Sequence, residues 1–211
     1  MSSMTATNDQ PAASSAKTKV IQPAWVRIVH WVNAVAIVLM IMSGWQIYNA
    51  SPLFNFTFSH SITIGGWLGG AIQWHLAAMW LLVINGLVYL TLGVVTGRFR
   101  KKLLPISAKG VLDDTKAALT GKLSHEDITR YNQVQKLLYT GIILVGILIV
   151  LSGLSIWKPV QFHYLTALFG GYDIARYVHF FMMAAIVGFL VIHVALALIV
   201  PKSLRAMIIG R

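Results

Sequence analysis

Cysteine is absent, and acidic side chains are scarce: six Asp and Glu in 211 residues, with charged residues at 11% and hydrophobic ones at 57%. A soluble globular chain carries about 25% charged residues. This composition excludes a soluble enzyme and a disordered protein, and it implies a polytopic membrane protein. The lack of cysteine removes disulfides, a cysteine-ligated iron–sulfur cluster, thioether-attached haem and a thiolate nucleophile. A metal in this chain has to take His, Met or oxygen ligands, so the seven histidines are the residues to trace. The formal net charge of +11 reads in such a chain as a topology signal, not as a nucleic-acid footprint.

What is present is four apolar runs: Val26–Tyr48, Ile72–Gly97, Leu137–Trp157 and Tyr177–Val200. Each is long enough to cross a hydrocarbon core of ~30 Å as a helix. Apart from Arg27 at one edge, none contains Asp, Glu, Lys or Arg. The fold class expected is an all-α membrane protein, a four-helix transmembrane bundle. The first run is too long for a signal-peptide core and no small-x-small cleavage site follows it, so it reads as a retained helix. Residues 1–24 read as a disordered cytoplasmic tail, 25–202 as the transmembrane domain and 203–211 as a second cytoplasmic tail. Between Arg98 and Lys136 lie nine Lys or Arg, whereas Tyr48–Ile72 has no charge at all. The positive-inside rule then puts both termini and the middle loop in the cytoplasm, with 15 of 17 Lys/Arg inside. The run Arg98–Lys102 reads as an anchor against anionic lipid, and Ser107–Leu119 as a short interfacial helix. The charge-free connection is rich in Phe and Gly and too broken to span; it either lies among lipid headgroups or is covered by a partner.

Four histidines fall in the runs: His30, His75, His179 and His193. An ionisable group at that depth is a functional candidate, although a lone one can be an interhelical hydrogen-bond partner. His179 and His193 are 14 residues apart. At ~100° and 1.5 Å per residue they share a face to within about 40° and are separated by about 21 Å. The first helix runs inside to outside with His30 near its inner end, and the second runs back with His75 near its outer end. His30 is therefore level with His193, and His75 with His179, as two pairs stacked across the bilayer.

Gly44 stands at the outer level and Gly86 at the inner level, where a flat macrocycle would need small neighbours; ordinary helix packing also uses such residues. Arg27 and Arg176 each precede a paired histidine by three residues, in the pattern R-x-x-H. One helical turn puts each on the histidine face but nearer water. There it either pairs with a haem propionate or snorkels to the interface. His60, His125 and His163 lie in connections and read as exposed loop residues. Zinc or copper needs ligands converging on one point. Two distant His–His pairs suit bis-histidine haem, whose six-coordinate iron supports electron transfer.

With His30 in the first span, His75 in the second, and His179 and His193 fourteen apart in the fourth, the chain resembles the bacterial cytochrome b561 / nickel-hydrogenase b-type cytochrome family. That family is similar to the membrane subunits of formate dehydrogenase and thiosulfate reductase. The resemblance implies two haem b groups, paired as above, in a bacterial inner (plasma) membrane protein. The stretches GWQIYNASPLFNF, RYNQVQKLLY and ALFGGYD resemble the subgroup that serves periplasmic molybdopterin oxidoreductases.

The function expected is electron transfer between the quinone pool and a periplasmic redox subunit, a molybdopterin oxidoreductase. The partner would dock over Tyr48–Ile72 and Lys158–Arg176. Membrane lipid is a further partner, and nucleic acid is not one. The chain has no carboxylate dyad and no nucleophile–base pair, so chemistry on a small substrate belongs to the partner and this chain is an electron-transfer subunit. Two alternatives stay open: a stand-alone membrane oxidoreductase acting on superoxide or quinone, and a non-redox membrane anchor or transporter.

Overall fold

The membrane-length helices start after a proline, glycines or a capping box, somewhat ahead of the apolar runs. The computed structural model describes residues 21–120 and 131–210; His125, Arg211 and residues 1–20 of the expected N-terminal tail lie outside them. Helix α1, Ala24–Ala50, follows Pro23, whose fixed extended geometry ends the preceding segment. Helix α2, Leu68–Val95, begins just after Gly65 and Gly66, both at positive φ. Two short helices follow, α3 (Arg98–Lys102) and α4 (Ala108–Leu119).

Helix α5, Gln133–Trp157, starts four residues ahead of the apolar run because a capping box opens it. The Asn132 side chain accepts from the Gln135 amide at 2.7 Å, and the Gln135 side chain accepts from the Asn132 amide at 3.1 Å. After α6 (His163–Leu168), the turn at Gly170 and Gly171 takes φ of +85° and +104°, which residues other than glycine rarely adopt. It launches α7, Tyr172–Ile199, with Asp173 in the positive first turn. Pro201 then opens α8, Pro201–Ile209, where the sequence suggested only a tail.

Helices α1, α2, α5 and α7, of 25 to 28 residues, are long and apolar enough to cross a membrane. No strand occurs among the described residues. The four helices form two tight pairs, α1 with α2 and α5 with α7, and the backbones do not interlock comparably between pairs. Small residues let the first pair close: Ala36 and Ala71 are fully buried and Ala78 nearly so. Within that pair the Asn85 amide donates to the Val29 carbonyl at 2.9 Å and to Asn33 Oδ1 at 2.6 Å. Such a bond holds two helices in register where water cannot compete.

The two ends of the bundle are closed differently. At the Tyr48 end, the connection from α1 to α2 packs back against α1 and α7. The Asn49 side chain brackets Phe58, accepting from its amide and donating to its carbonyl, both at 2.8 Å. Phe54 and Phe56 then gather with Tyr48 and Phe180, joining α1 to α7. At the Arg27 end, α8 returns to the start of α1. The Ile21 amide donates to the Gly210 carbonyl at 2.9 Å, and Trp31 Nε1 donates to the Met207 carbonyl at 3.1 Å.

Candidate metal centres

The wide separation between helix pairs is bridged at two heights by imidazoles. At the Arg27 end, His30 on α1 faces His193 on α7 with ring centres 6.0 Å apart. At the Tyr48 end, His75 on α2 faces His179 on α7 at 6.4 Å. Fourteen residues of helix separate His179 from His193, about 21 Å of rise. Both pairings are those expected from helix direction and spacing. Among the described residues no three His, Asp or Glu converge, so the donor sets are pairs.

The spacing has a chemical meaning. Two imidazole nitrogens about 2 Å from one ion, each about 1 Å from its ring centre, put the centres about 6 Å apart when all are in line. The observed ring-centre distances are of that size. Helix pairs that interlock internally but not with each other also suit a flat group lying between them.

The donor state at the Tyr48 end follows from its hydrogen bonds. His179 Nδ1 lies 3.0 Å from the Ile149 carbonyl and 3.1 Å from Ser152 Oγ. A carbonyl only accepts, so Nδ1 carries the proton and Nε2 keeps its lone pair for a metal. Ser152 Oγ donates back to the Leu148 carbonyl at 2.8 Å, which leaves its oxygen free to accept. The arrangement around His75 repeats this. Its Nδ1 lies 3.0 Å from Ser43 Oγ, which donates to the Leu39 carbonyl at 2.6 Å.

Glycine makes these approaches possible. A Cβ on Gly44 would sit 3.3 Å from His75 Cε1, and one on Gly153 would sit 3.1 Å from His179 Cε1. Each helix pair thus presents one Ser-Gly step on its first helix to the histidine on its second. The sequence carries the matching heptapeptides MSGWQIY (residues 42–48) and LSGLSIW (residues 151–157). Ser152 and Gly153 are site residues that the histidine pattern alone does not reveal; this short repeat was the available signal.

The Arg27-end pair has different surroundings. His193 stacks on Phe189 at 5.4 Å and 12°, and His30 meets Trp31 edge-on. Among the described residues neither ring has a hydrogen-bond partner. Gly86 faces open space: a Cβ there would have no neighbour within 4 Å. Arg27 donates Nη1 to the Ile208 carbonyl at 2.7 Å, while its Nε is buried without a partner. Arg176 donates Nη2 to the Ser51 carbonyl at 2.6 Å. A guanidinium has five N–H groups, so neither contact exhausts it. His60 and His163 are exposed and apart from both pairs.

Known proteins agree with this architecture. The family model for prokaryotic cytochrome b561 matches residues 21–210. A relative from Azospira oryzae, provisionally named protein-methionine-sulfoxide reductase subunit YedZ1, is 52% identical over 190 residues, covering 90% of this chain and 96% of the relative. Four membrane-length helices and this match make the chain a multi-pass inner-membrane, haem b-binding protein of electron transport, a member of the prokaryotic cytochrome b561 family.

Proposed function

We propose that the chain is a di-haem electron carrier linking the quinone pool to a catalytic partner in the periplasm. The observation that carries this reading is the pair of His–His sets, with ring centres 6.0 and 6.4 Å apart at two depths of one bundle. His30 and His193 would hold one haem b, and His75 and His179 the other. Haem iron with imidazole on both sides supplies one-electron transfer and leaves no open position for a substrate. The protein's part is to hold the two centres about 21 Å apart along α7 and to wrap them in apolar helix. The experiment is haem quantification on the purified full chain: two haem b per polypeptide are expected, and one or none overturns the reading.

Charge supports an orientation with both termini cytoplasmic, the Arg27 end inside and the Tyr48 end outside. A reporter fused after Arg211 is expected to be silent when it requires the periplasm. Periplasmic activity of that fusion would reverse the assignment of the two centres.

The relative's name gives the partner a reaction, reduction of methionine sulfoxide in proteins. The balance closes with a quinol as donor: two electrons and two protons convert sulfoxide to thioether and water, and quinol becomes quinone. The resemblance of GWQIYNASPLFNF, RYNQVQKLLY and ALFGGYD to the molybdopterin-linked subgroup makes such a centre our choice for the partner's catalytic group. The folded Phe54–Phe58 loop and the α6 region, where Tyr164 and Leu168 are largely exposed, form its docking face.

Arg27 and Arg176 stand one turn from His30 and His179 and would pair with propionates through their remaining N–H groups. A cation beside the haem favours the reduced iron. Replacing Arg27 or Arg176 by Gln should therefore lower the midpoint potential of the nearer haem and leave its ligation spectrum intact. An unchanged redox titration would return both arginines to a purely structural role at the bundle ends.

A further inference from the structure

The two histidine pairs are built to different standards. Each ring of the outer pair is held by a Ser-Gly step of the neighbouring helix, and at His179 a carbonyl one turn earlier on the same face joins it. For His75 these are Ser43 and Gly44; for His179 they are Ser152 and Gly153, with the Ile149 carbonyl beside them. At His179 a carbonyl and a hydroxyl take the Nδ1 proton, at His75 the hydroxyl does, and glycine admits each ring. Ser43 and Ser152 are both fully buried, so water does not compete for these bonds. The inner pair has ring contacts with Trp31 and Phe189 and, among the described residues, no hydrogen-bond partner.

We infer that Ser43 and Ser152 are positioning residues that orient the outer haem's axial imidazoles and hold that haem's potential down. This rests on the ligation proposed above. An Nδ1–H donated to an acceptor pushes electron density onto the ring, making Nε2 a more basic ligand. A more basic axial ligand favours ferric over ferrous iron and lowers the potential. Among the described residues two such bonds act on the outer centre and none on the inner. The consequence is directional: the outer centre becomes the stronger reductant toward the partner it faces. The bonds also fix the ring planes, since each imidazole is held at Nδ1 by a serine hydroxyl that is itself tied to its helix backbone.

The test uses the full chain carrying its haems, with Ser43→Ala, Ser152→Ala and the corresponding Thr variants. Potentiometric titration and the ferric electron paramagnetic resonance spectrum are recorded for each. Each Ala variant should raise the midpoint of the component that His75→Ala removes and leave the other component where it was. The double variant should shift further, and the outer ferric signal should change as the rings lose their anchor. The Thr variants keep the hydroxyl and should stay close to wild type. An Ala variant that loses the outer haem, with Thr retaining it, supports the same role.

Both haems retained with unshifted potentials in Ser43→Ala and Ser152→Ala would overturn the proposal. So would Thr variants that behave like Ala, because the effect would then follow bulk and not the hydrogen bond. Failure of the underlying ligation shows separately: His75→Ala retaining both components would overturn that reading whatever the serine variants do.

Discussion

His75→Ala and His179→Ala are each expected to leave the purified chain with about one haem instead of two, and with the same spectral component missing. Their rings face each other at 6.4 Å, and each Nε2 is left unprotonated by the bonds at Nδ1. Removing one imidazole takes away half of the axial bonding. Among the described residues no third His, Asp or Glu approaches either pair, and cysteine is absent from the chain. His30→Ala and His193→Ala should remove the other component by the same logic. The discriminating observation is the pairing. If His30→Ala and His75→Ala deplete one and the same component, the two-centre arrangement fails. If all four variants retain two haems, the histidines are interhelical packing groups and the ligands lie elsewhere.

The pairing of histidines was legible in the sequence because it depends on two robust quantities, helix rise and helix direction. A 14-residue spacing on α7 and alternating directions for α1 and α2 leave one way to match levels. The membrane class was legible for a similar reason, since four runs almost free of charge have no soluble explanation. Helix ends were less legible. The capping box at Asn132 and the glycine turn at Gly170 and Gly171 act through hydrogen bonds and backbone conformation, which hydropathy does not register. Helix α8 was missed because Lys202 and Arg205 break its apolar pattern, although Pro201 is a good first residue.

The association of helices into α1–α2 and α5–α7 was not legible at all. All four spans have similar composition, so hydropathy gives no preference among partners. The information lay in Ser43-Gly44 and Ser152-Gly153, which are weak as isolated dipeptides. They acquire meaning only once each is seen against the histidine of the next span. Gly153, one of three glycines on α5, is distinguished from Gly141 and Gly146 by what stands opposite. A Cβ on either of those two meets nothing within 4 Å.

That contrast gives the second large effect. Gly153→Leu and Gly44→Leu are expected to abolish the outer haem while sparing the inner one, taking haem content from two per chain to about one. A Cβ at these positions would lie 3.1 and 3.3 Å from a ligand's Cε1, and a leucine adds three further carbons in the same direction. Ser152 and Ser43 hold the adjacent Nδ1 on the same edge, so the ring cannot move away from the added carbons without breaking those bonds. Alanine should be milder: the ring must yield by a few tenths of an ångström, and the helix gains about 1 kcal/mol in propensity over glycine. Gly86→Leu separates steric exclusion by protein from exclusion by haem. No protein atom lies within 4 Å of a Cβ there, so the helix itself accepts the larger residue. If the inner haem's edge passes over Gly86, as proposed, that variant loses the inner component and keeps the outer. If it retains both haems, Gly86 faces lipid and drops out of the site, while the outer assignment stands on Gly44 and Gly153 alone.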